Sequence, residues 1–406
     1  MDDGFAQNFR IGMSEEKIIA TPAEPQNGVA RDSFWPALTS KLLADCYRAE
    51  QDNFDFVRFP VDKKRKITHW VKERIFSLAG RYHWTYASGF VKGRAAKELD
   101  VLIDRAEDFA GIYETLADES SRRRLIELLA YRVLGRHRVK LSSNNIGYWE
   151  ALEIVNKKLL KTRHTYPIDS LDGFLHYFEL DEIGFPVRLH AHALNILNTF
   201  LLRQYEYQSP HGAISAVPGE VVIDAGAGWG DTALYFAHLV GPTGRVYGLE
   251  FVPGNLAIFG QNLALNEPLK EIIEVVPYAL WDKSGESLSF RNDGTSSALL
   301  NGEQTTITAE TLALDDFVER CGLPKVDLIK MDIEGAELNG LRGAKQTIRT
   351  FRPKLAIAAY HKSDDLFLLP RYLGELGLEY KFFLGHFTIH QEETVMFALP
   401  PRKSHG

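Results

Sequence analysis

The sequence predicts an α/β protein in which a mostly parallel, seven-stranded sheet is preceded by a mainly helical domain. Three observations carry that expectation. Beyond about residue 203, short apolar runs alternate with helical patterns. Those runs are apolar on both faces, as strands covered by helices on each side must be. The first of them, VVIDAGAGWGDTA at 221–233, breaks into a glycine loop and then a helix.

Residues 1–34, which include ATPAEPQNG, hold turn formers and no apolar period, predicting a flexible arm. Residues 35–202 follow a 3.6-residue period and are expected to form a helical accessory domain. In SRRRLIELLAYRVLG, Leu125, Leu128, Leu129 and Val133 share a face with arginines opposite, and ALEIVNKKLLKT repeats the pattern. Two basic clusters, DKKRKITHWVKER and SRRRLIELLAYRVLGRHRVK, read as solvated helix faces, with a site for phosphate or an acidic glycan as the functional alternative. The turn-rich YEYQSPHGAISAVPGE leads into residues 203–406, read as the second domain. Its strands are expected at EVVIDAG, GRVYGLEF, IIEVVPYAL, VDLIKMDI, KLAIAAYH, EYKFFLGHF and ETVMFALP. Helices are expected at DTALYFAHLV, GNLAIFGQNLALN, GAELNGLRGAKQTIRTF and DDLFLLPRYLGELG. LWDKSGESLSFRNDGTSSALLN reads as a hairpin with a flexible loop at Asn292–Ser297, either plain solvent loop or substrate lid.

A chain of 406 residues, 45% hydrophobic and 25% charged, is ordinary globular material with room for two cores. Its net charge of -7 argues against a protein built as a whole to coat nucleic acid or an anionic membrane. Cys46 and Cys321 have no metal or disulfide spacing, so a reducing compartment is expected. The opening MDDGFAQNFRIGMSEEK lacks a secretory apolar core and no run is long enough to cross a bilayer, which points to the cytoplasm and to no membrane insertion.

The glycine loop offers two cofactor classes. A dinucleotide fingerprint needs a third glycine where this chain has Asp231, and Asp224 ahead of Gly226, Gly228 and Gly230 would repel a pyrophosphate. The same carboxylate suits a ligand with positive charge, such as the ammonium and sulfonium of S-adenosylmethionine. The helix opening at Gly230, Asp231 and Thr232 offers unpaired N–H groups for that ligand's carboxylate. At the end of the second strand, Glu250 is placed to accept from ribose hydroxyls, with Phe251 over the adenine, Asn255 in the following turn and Ala279 at the adenine edge.

These blocks, with VDLIKMDIEGAELNGLRGA and GHFTIHQEETVMFA, resemble the FkbM family of S-adenosylmethionine-dependent methyltransferases, in a branch with an N-terminal extension. The likeness runs from about LLRQYEYQ to Pro400, and IKMDIEGAE is its most specific part. It implies a Rossmann-like class I methyltransferase domain and methyl transfer to an oxygen, often a hydroxyl of a sugar, glycan or secondary metabolite. No nucleic-acid partner is expected.

Methyl transfer needs an acceptor aligned with the S–CH3 bond and a group to take its proton. Asp332 and Glu334 follow the fourth strand, His361 ends the fifth, and His386 and His390 flank the final hairpin. His361 is expected as general base, with Asp332 orienting donor or acceptor and Glu334 assisting. Glu337 reads as a first-turn helix acid, outside the active set. No ligand spacing calls for a metal and none is assigned, although a hard divalent ion tolerates scattered ligands such as Asp332, Glu334 and the histidines. A donor-binding sensor or assembly module without turnover and a nicotinamide-dependent oxidoreductase are the alternatives.

Overall fold

The computed structural model describes residues 31–46, 87–136, 138–168, 173–291 and 306–401. Most of the expected arm, the basic cluster at 62–74 and the loop Asn292–Ser297 lie outside these residues.

The seven strands expected from apolar runs form one sheet in the order β14-β15-β13-β12-β6-β7-β8. They are β6 (Val221–Ala225), β7 (Arg245–Leu249), β8 (Ile273–Val276), β12 (Leu328–Met331), β13 (Lys354–Ala358), β14 (Lys381–His386) and β15 (Thr394–Leu399). β6, β7, β8, β12 and β13 run parallel, and β15 is antiparallel to both neighbours. Strand order departs in opposite directions from β6, to β7 on one side and to β12 on the other. In such sheets the carboxyl ends at this switch point form a binding crevice.

Alternation along each strand splits the sheet into two cores. Val222, Val246, Leu328 and Ala356 pack with helix α7 (Asp231–Val240). Ile223, Ile329, Leu355 and Ile357 pack into the opposite core, which also holds residues of α1 (Arg31–Cys46), α2 (Ala87–Asp104), α3 (Ala106–Thr115) and α4 (Glu119–Leu134). The N-terminal helices therefore share a core with the sheet. The predicted apolar face of α4 is buried, with Leu125 at 0% and Leu129 at 1% exposure. Its arginines do more than face solvent: Arg122 donates to the carbonyls of Tyr113 and Leu116, Arg124 to Leu384 O and Arg132 to Ser363 O. The Arg124 bond, together with Leu384 N donating to Ser121 Oγ at 2.9 Å, covers the outer edge of β14, which would otherwise be an open pairing template.

The stretch read as wholly helical also contains strands. Helix α5 (Ile146–Ile154) loosens into a π-turn at Val155–Leu159 and becomes β1 (Leu160–Pro167), which pairs with β2 (Phe174–Glu179), itself paired with β3 (Arg188–Ala191). The period in ALEIVNKKLLKT ends because LKTRHTYP is polar and Thr- and Tyr-bearing, and finds a cross-strand partner. β3 is held on its free edge by helix α8 (Pro253–Ala264) and the turn after it. Asn262 Oδ1 accepts from His190 N at 2.8 Å and its Nδ2 donates to His190 O at 3.0 Å. Asn266 does the same to the backbone of Arg188. Two amides four residues apart thus stand in for a neighbouring strand.

The short helix α6 (Ala193–Ile196) continues as a π-turn at Leu197–Leu201 and delivers the chain to the sheet. The remaining strands are β4 (Tyr207–Ser209), β5 (Gly212–Ile214), β9 (Ala279–Leu280), β10 (Ser287–Arg291) and β11 (Thr306–Leu312), and the remaining helices are α9 (Glu267–Lys270), α10 (Leu314–Cys321), α11 (Glu337–Gly343), α12 (Lys345–Phe351) and α13 (Asp365–Glu375). Among the described residues no helix is long and apolar enough to cross a membrane.

Candidate active site

At the switch point, Ala225 of β6 pairs with Met331 of β12, so the glycine loop and Asp332 leave the sheet side by side. The approach is close enough to demand glycine at 226. Its φ is +79°, and a Cβ there would lie 1.8 Å from the Asp332 carbonyl oxygen.

One cavity of ≈ 1310 Å³ opens here. It brings together Gly226, Gly228, Asp231, Thr232, Glu250, Phe251, Asn255, Ala279, Asp332, Glu334 and His361, eleven of the residues expected from sequence. A pocket for one drug-sized ligand occupies about 300–1,000 Å³, so this space exceeds one such ligand.

Two expected residues lie elsewhere. Gly230 is the N-cap of α7, with φ +84° and its Cα against the Phe259 ring. Asp224 sits beneath the loop at 0% exposure and does not line the cavity. Its carboxylate accepts from Thr232 Oγ1 at 2.7 Å and pairs with Lys330 Nζ at 3.0 Å. An acid this deep is neutralised from within the protein, which corrects the expectation that Asp224 faces a sulfonium. Lys330 also donates to Gly226 O at 2.7 Å, fixing the loop from below. Burial pulls the lysine pKa down, but the charges of Asp224 and Asp332 outweigh it and raise the value.

Glu250 follows β7 and lines the cavity, 7% exposed. Its Oε1 accepts from the amides of Phe251 and Val252, both at 2.7 Å, and Oε2 from Asn255 Nδ2 at 3.2 Å. Burial raises its pKa against these bonds. Asp231 is raised to about 6 by burial, although Lys330 opposes the shift and Thr199 Oγ1 donates to it at 3.2 Å.

At the other end, Asp332 Oδ2 accepts from Tyr205 Oη at 2.9 Å. Burial, then the Asp332 charge, pushes the phenols of Tyr205 and Tyr360 well above their ordinary value. His361 stands among three carboxylates. Nε2 is 3.4 Å from both Asp332 Oδ1 and Glu334 Oε2, and Nδ1 is 3.0 Å from Glu337 Oε1. Burial lowers the imidazole pKa, but the Glu337 contact and the surrounding charges win and raise it to about 10. As arranged, the ring carries its proton at neutral pH, so the expectation of a free general base at His361 is not met. Burial pushes Glu334 up to about 7, with His361 opposing. Its φ is +55°, uncommon for a non-glycine residue.

Glu337, set aside from sequence as a helix acid, is in the first turn of α11 but is 0% exposed. It accepts from the amides of Ile333 and Gly335 at 2.9 and 3.3 Å while facing His361. With Asp332 and His361 it forms the described cluster able to hold a metal ion. His386 and His390 are buried in the final hairpin, outside the cavity; His386 Nδ1 lies 2.9 Å from Thr394 Oγ1, and burial drops its pKa to about 3.

Residues 220–382 match a family model described as methyltransferase FkbM domain. Over these residues the chain is similar to FkbM methyltransferase domains. S-adenosylmethionine is the cofactor of this family. Among solved structures, the methyltransferase FkbM from Methylobacillus flagellatus KT is 19% identical with a TM-score of 0.46, over 74% of this chain and 60% of that one. The chain thus spans less than two thirds of that relative's length. Aeropyrum pernix fibrillarin, solved with natively bound S-adenosyl-L-methionine, is 13% identical with a TM-score of 0.31, over 60% of this chain and 99% of its own. Precorrin-6y C5,15-methyltransferase from Geobacter metallireducens GS-15 is 15% identical with a TM-score of 0.32, over 52% and 89%. The matched residues include the glycine loop, Glu250 and the whole Asp332–His361 cluster. Tyr205 and the β1–β3 wall lie before it.

Proposed function

We propose that this protein transfers a methyl group from S-adenosylmethionine to an oxygen, a hydroxyl of a sugar, glycan or secondary metabolite. The observation that carries the reading is the single cavity joining a nucleoside-type end to an acid-lined end. The residues present fit the donor. Gly226, Ala227 and Gly228 bring bare backbone to the wall, Glu250 offers carboxylate oxygens for ribose hydroxyls, and Phe251, Val252, Ala279 and Leu280 give an apolar bed for a base. The start of α7 at Asp231 and Thr232 receives the methionine end. When bound, S-adenosylmethionine supplies a methyl on a sulfonium, which passes to the acceptor oxygen as its C–S bond breaks and S-adenosylhomocysteine leaves.

The chain's own part is alignment and proton removal. Arg163, His164, Phe174 and His176, from β1 and β2, form the outer wall and shape the acceptor side. Tyr205 and Tyr360 hold Asp332 in place. Both nitrogens of His361 point at carboxylates, so the hydroxyl proton goes to Asp332 or Glu334, and His361 positions them.

The test is incubation of glycan and metabolite pools with isotopically labelled donor, read by mass spectrometry for methylated products. Asp332→Asn should lower turnover while keeping S-adenosylhomocysteine affinity. Donor binding with no labelled product across the pools would favour a binding module instead, and failure to bind S-adenosylhomocysteine would remove the reading altogether.

A further inference from the structure

The acid-lined end of the cavity has a property that proton handling does not use. Asp332, Glu337 and His361 each bring one ligand atom to within 4.8 Å of the others. They come from three segments: the residue after β12, the first turn of α11 and the turn that follows β13. Ligand atoms held at about 2.1 Å on one cation lie no more than about 4.2 Å apart, so inward shifts of a few tenths of an ångström per group complete the set.

A second, independent observation is a group of buried polar atoms without partners. Both ring nitrogens of His361 and Oε2 of Glu337 make no hydrogen bond, although their side chains are 10% and 0% exposed. Nδ1 stands 3.0 Å from Glu337 Oε1 as an ion-pair contact, while Glu337 Oε2 is left over. Buried nitrogen and oxygen normally find partners, and here a Glu337 oxygen and the His361 ring, which belong to one cluster of potential ligands, lack them. Charge points the same way. Asp332, Glu334 and Glu337 crowd one imidazole, while the nearby Lys330 is committed to Asp224 and to the carbonyls of Ala225 and Gly226.

We propose that Asp332, Glu337 and His361 form a site for a divalent first-row transition cation, whose binding displaces the imidazole proton. An imidazole with carboxylates suits manganese-type ions better than calcium, which takes oxygen alone. Asp332, Glu334 and His361 line the cavity and Glu337 does not, so the protein ligands lie behind the ion and its open positions face the space assigned to the acceptor. That orientation rests on the functional reading above; the ligand set does not.

The experiment titrates Mn2+ into the metal-stripped full chain, following free Mn2+ by electron paramagnetic resonance, with S-adenosylhomocysteine affinity measured in parallel by calorimetry. One Mn2+ per chain is expected. Glu337→Gln, which keeps an acceptor for the Ile333 and Gly335 amides, and His361→Gln should each weaken Mn2+ binding about 10–100-fold with nucleoside affinity retained. A wild-type chain that binds S-adenosylhomocysteine but no Mn2+ overturns the cation site and leaves the methyl-transfer reading standing. Mn2+ binding that is equally tight in both variants also overturns it, because the ion then sits elsewhere. Mn2+ uptake lost in both variants by a chain that ignores S-adenosylhomocysteine supports the cation site and overturns the donor reading instead.

Discussion

Lys330→Met tests whether the glycine loop is held by a buried ion pair. The methionine keeps the length and apolar stem of the side chain but removes the charge at 1% exposure, leaving Asp224 at 0% exposure with only the Thr232 hydroxyl. Breaking a buried pair from one side costs about 3–5 kcal/mol, because an uncompensated charge stays inside. The donated bond to Gly226 O is lost as well, worth about 1 kcal/mol. Urea unfolding at pH 7.5 should therefore show Lys330→Met less stable by about 4–6 kcal/mol. The double variant Asp224→Asn/Lys330→Met removes both charges and should recover at least half of that loss. The single variant should also bind S-adenosylhomocysteine more weakly, since Gly226 lines the cavity. A Lys330→Met protein as stable as wild type, or a double variant whose loss equals the sum of the two single losses, would refute the argument that charge compensation beneath the loop is what the lysine provides.

Four further outcomes are expected. Glu250→Gln removes a carboxylate that receives charge-assisted bonds, and calorimetry should show S-adenosylhomocysteine affinity down about 10–100-fold, from roughly 1.5–3 kcal/mol. Tyr205→Phe deletes the 2.9 Å bond to Asp332 and should lower kcat more than it changes donor affinity, measured by steady-state kinetics beside calorimetry. Gly226→Ala places a Cβ 1.8 Å from a backbone oxygen at a positive φ, so soluble yield and Tm should fall sharply, whereas Gly374→Ala, with nothing within 4 Å, should leave both unchanged. Asp231 has a folded pKa of about 6 against 3.8, so between about pH 4 and 6 the folded state binds the extra proton and stability falls as pH rises. Asp231→Asn should flatten that slope and raise stability above pH 6 by no more than about 3 kcal/mol, as read from urea midpoints across pH.

How much of this was legible depends on whether the deciding interaction is local. The seven strands were, because apolar runs such as VVIDA and KLAIA must be covered on both faces wherever they sit. Glu250 was legible because distance along the chain from the glycine loop fixes its place at the end of the adjacent strand. Asp224 was misplaced because its partner, Lys330, lies in β12, and sequence alone does not pair an acid and a base that far apart. A signal was present all the same: a lysine inside the otherwise apolar LIKM has nowhere to go but a buried counter-charge. Glu337 was passed over for a related reason. A helix-start acid explains itself locally, and only the fold brings it within 3.0 Å of His361.

The strands at 160–191 were hidden because polar LKTRHTYP has no core-facing period, yet they bear most directly on reactivity. Reacting atoms must be aligned to within a fraction of an ångström of their contact distance. Asn262 and Asn266, in α8 and just after it, grip the free edge of β3 through its backbone N–H and C=O groups, and Asn262 also donates to Trp229 O in the glycine loop at 2.8 Å. Thr199, from the π-turn that follows β3, reaches Asp231 at the start of α7. The wall that would meet the acceptor is therefore bonded to the same loop and helix that would hold the donor. Such bonding fixes the distance between the two through side-chain amides rather than through the main sheet.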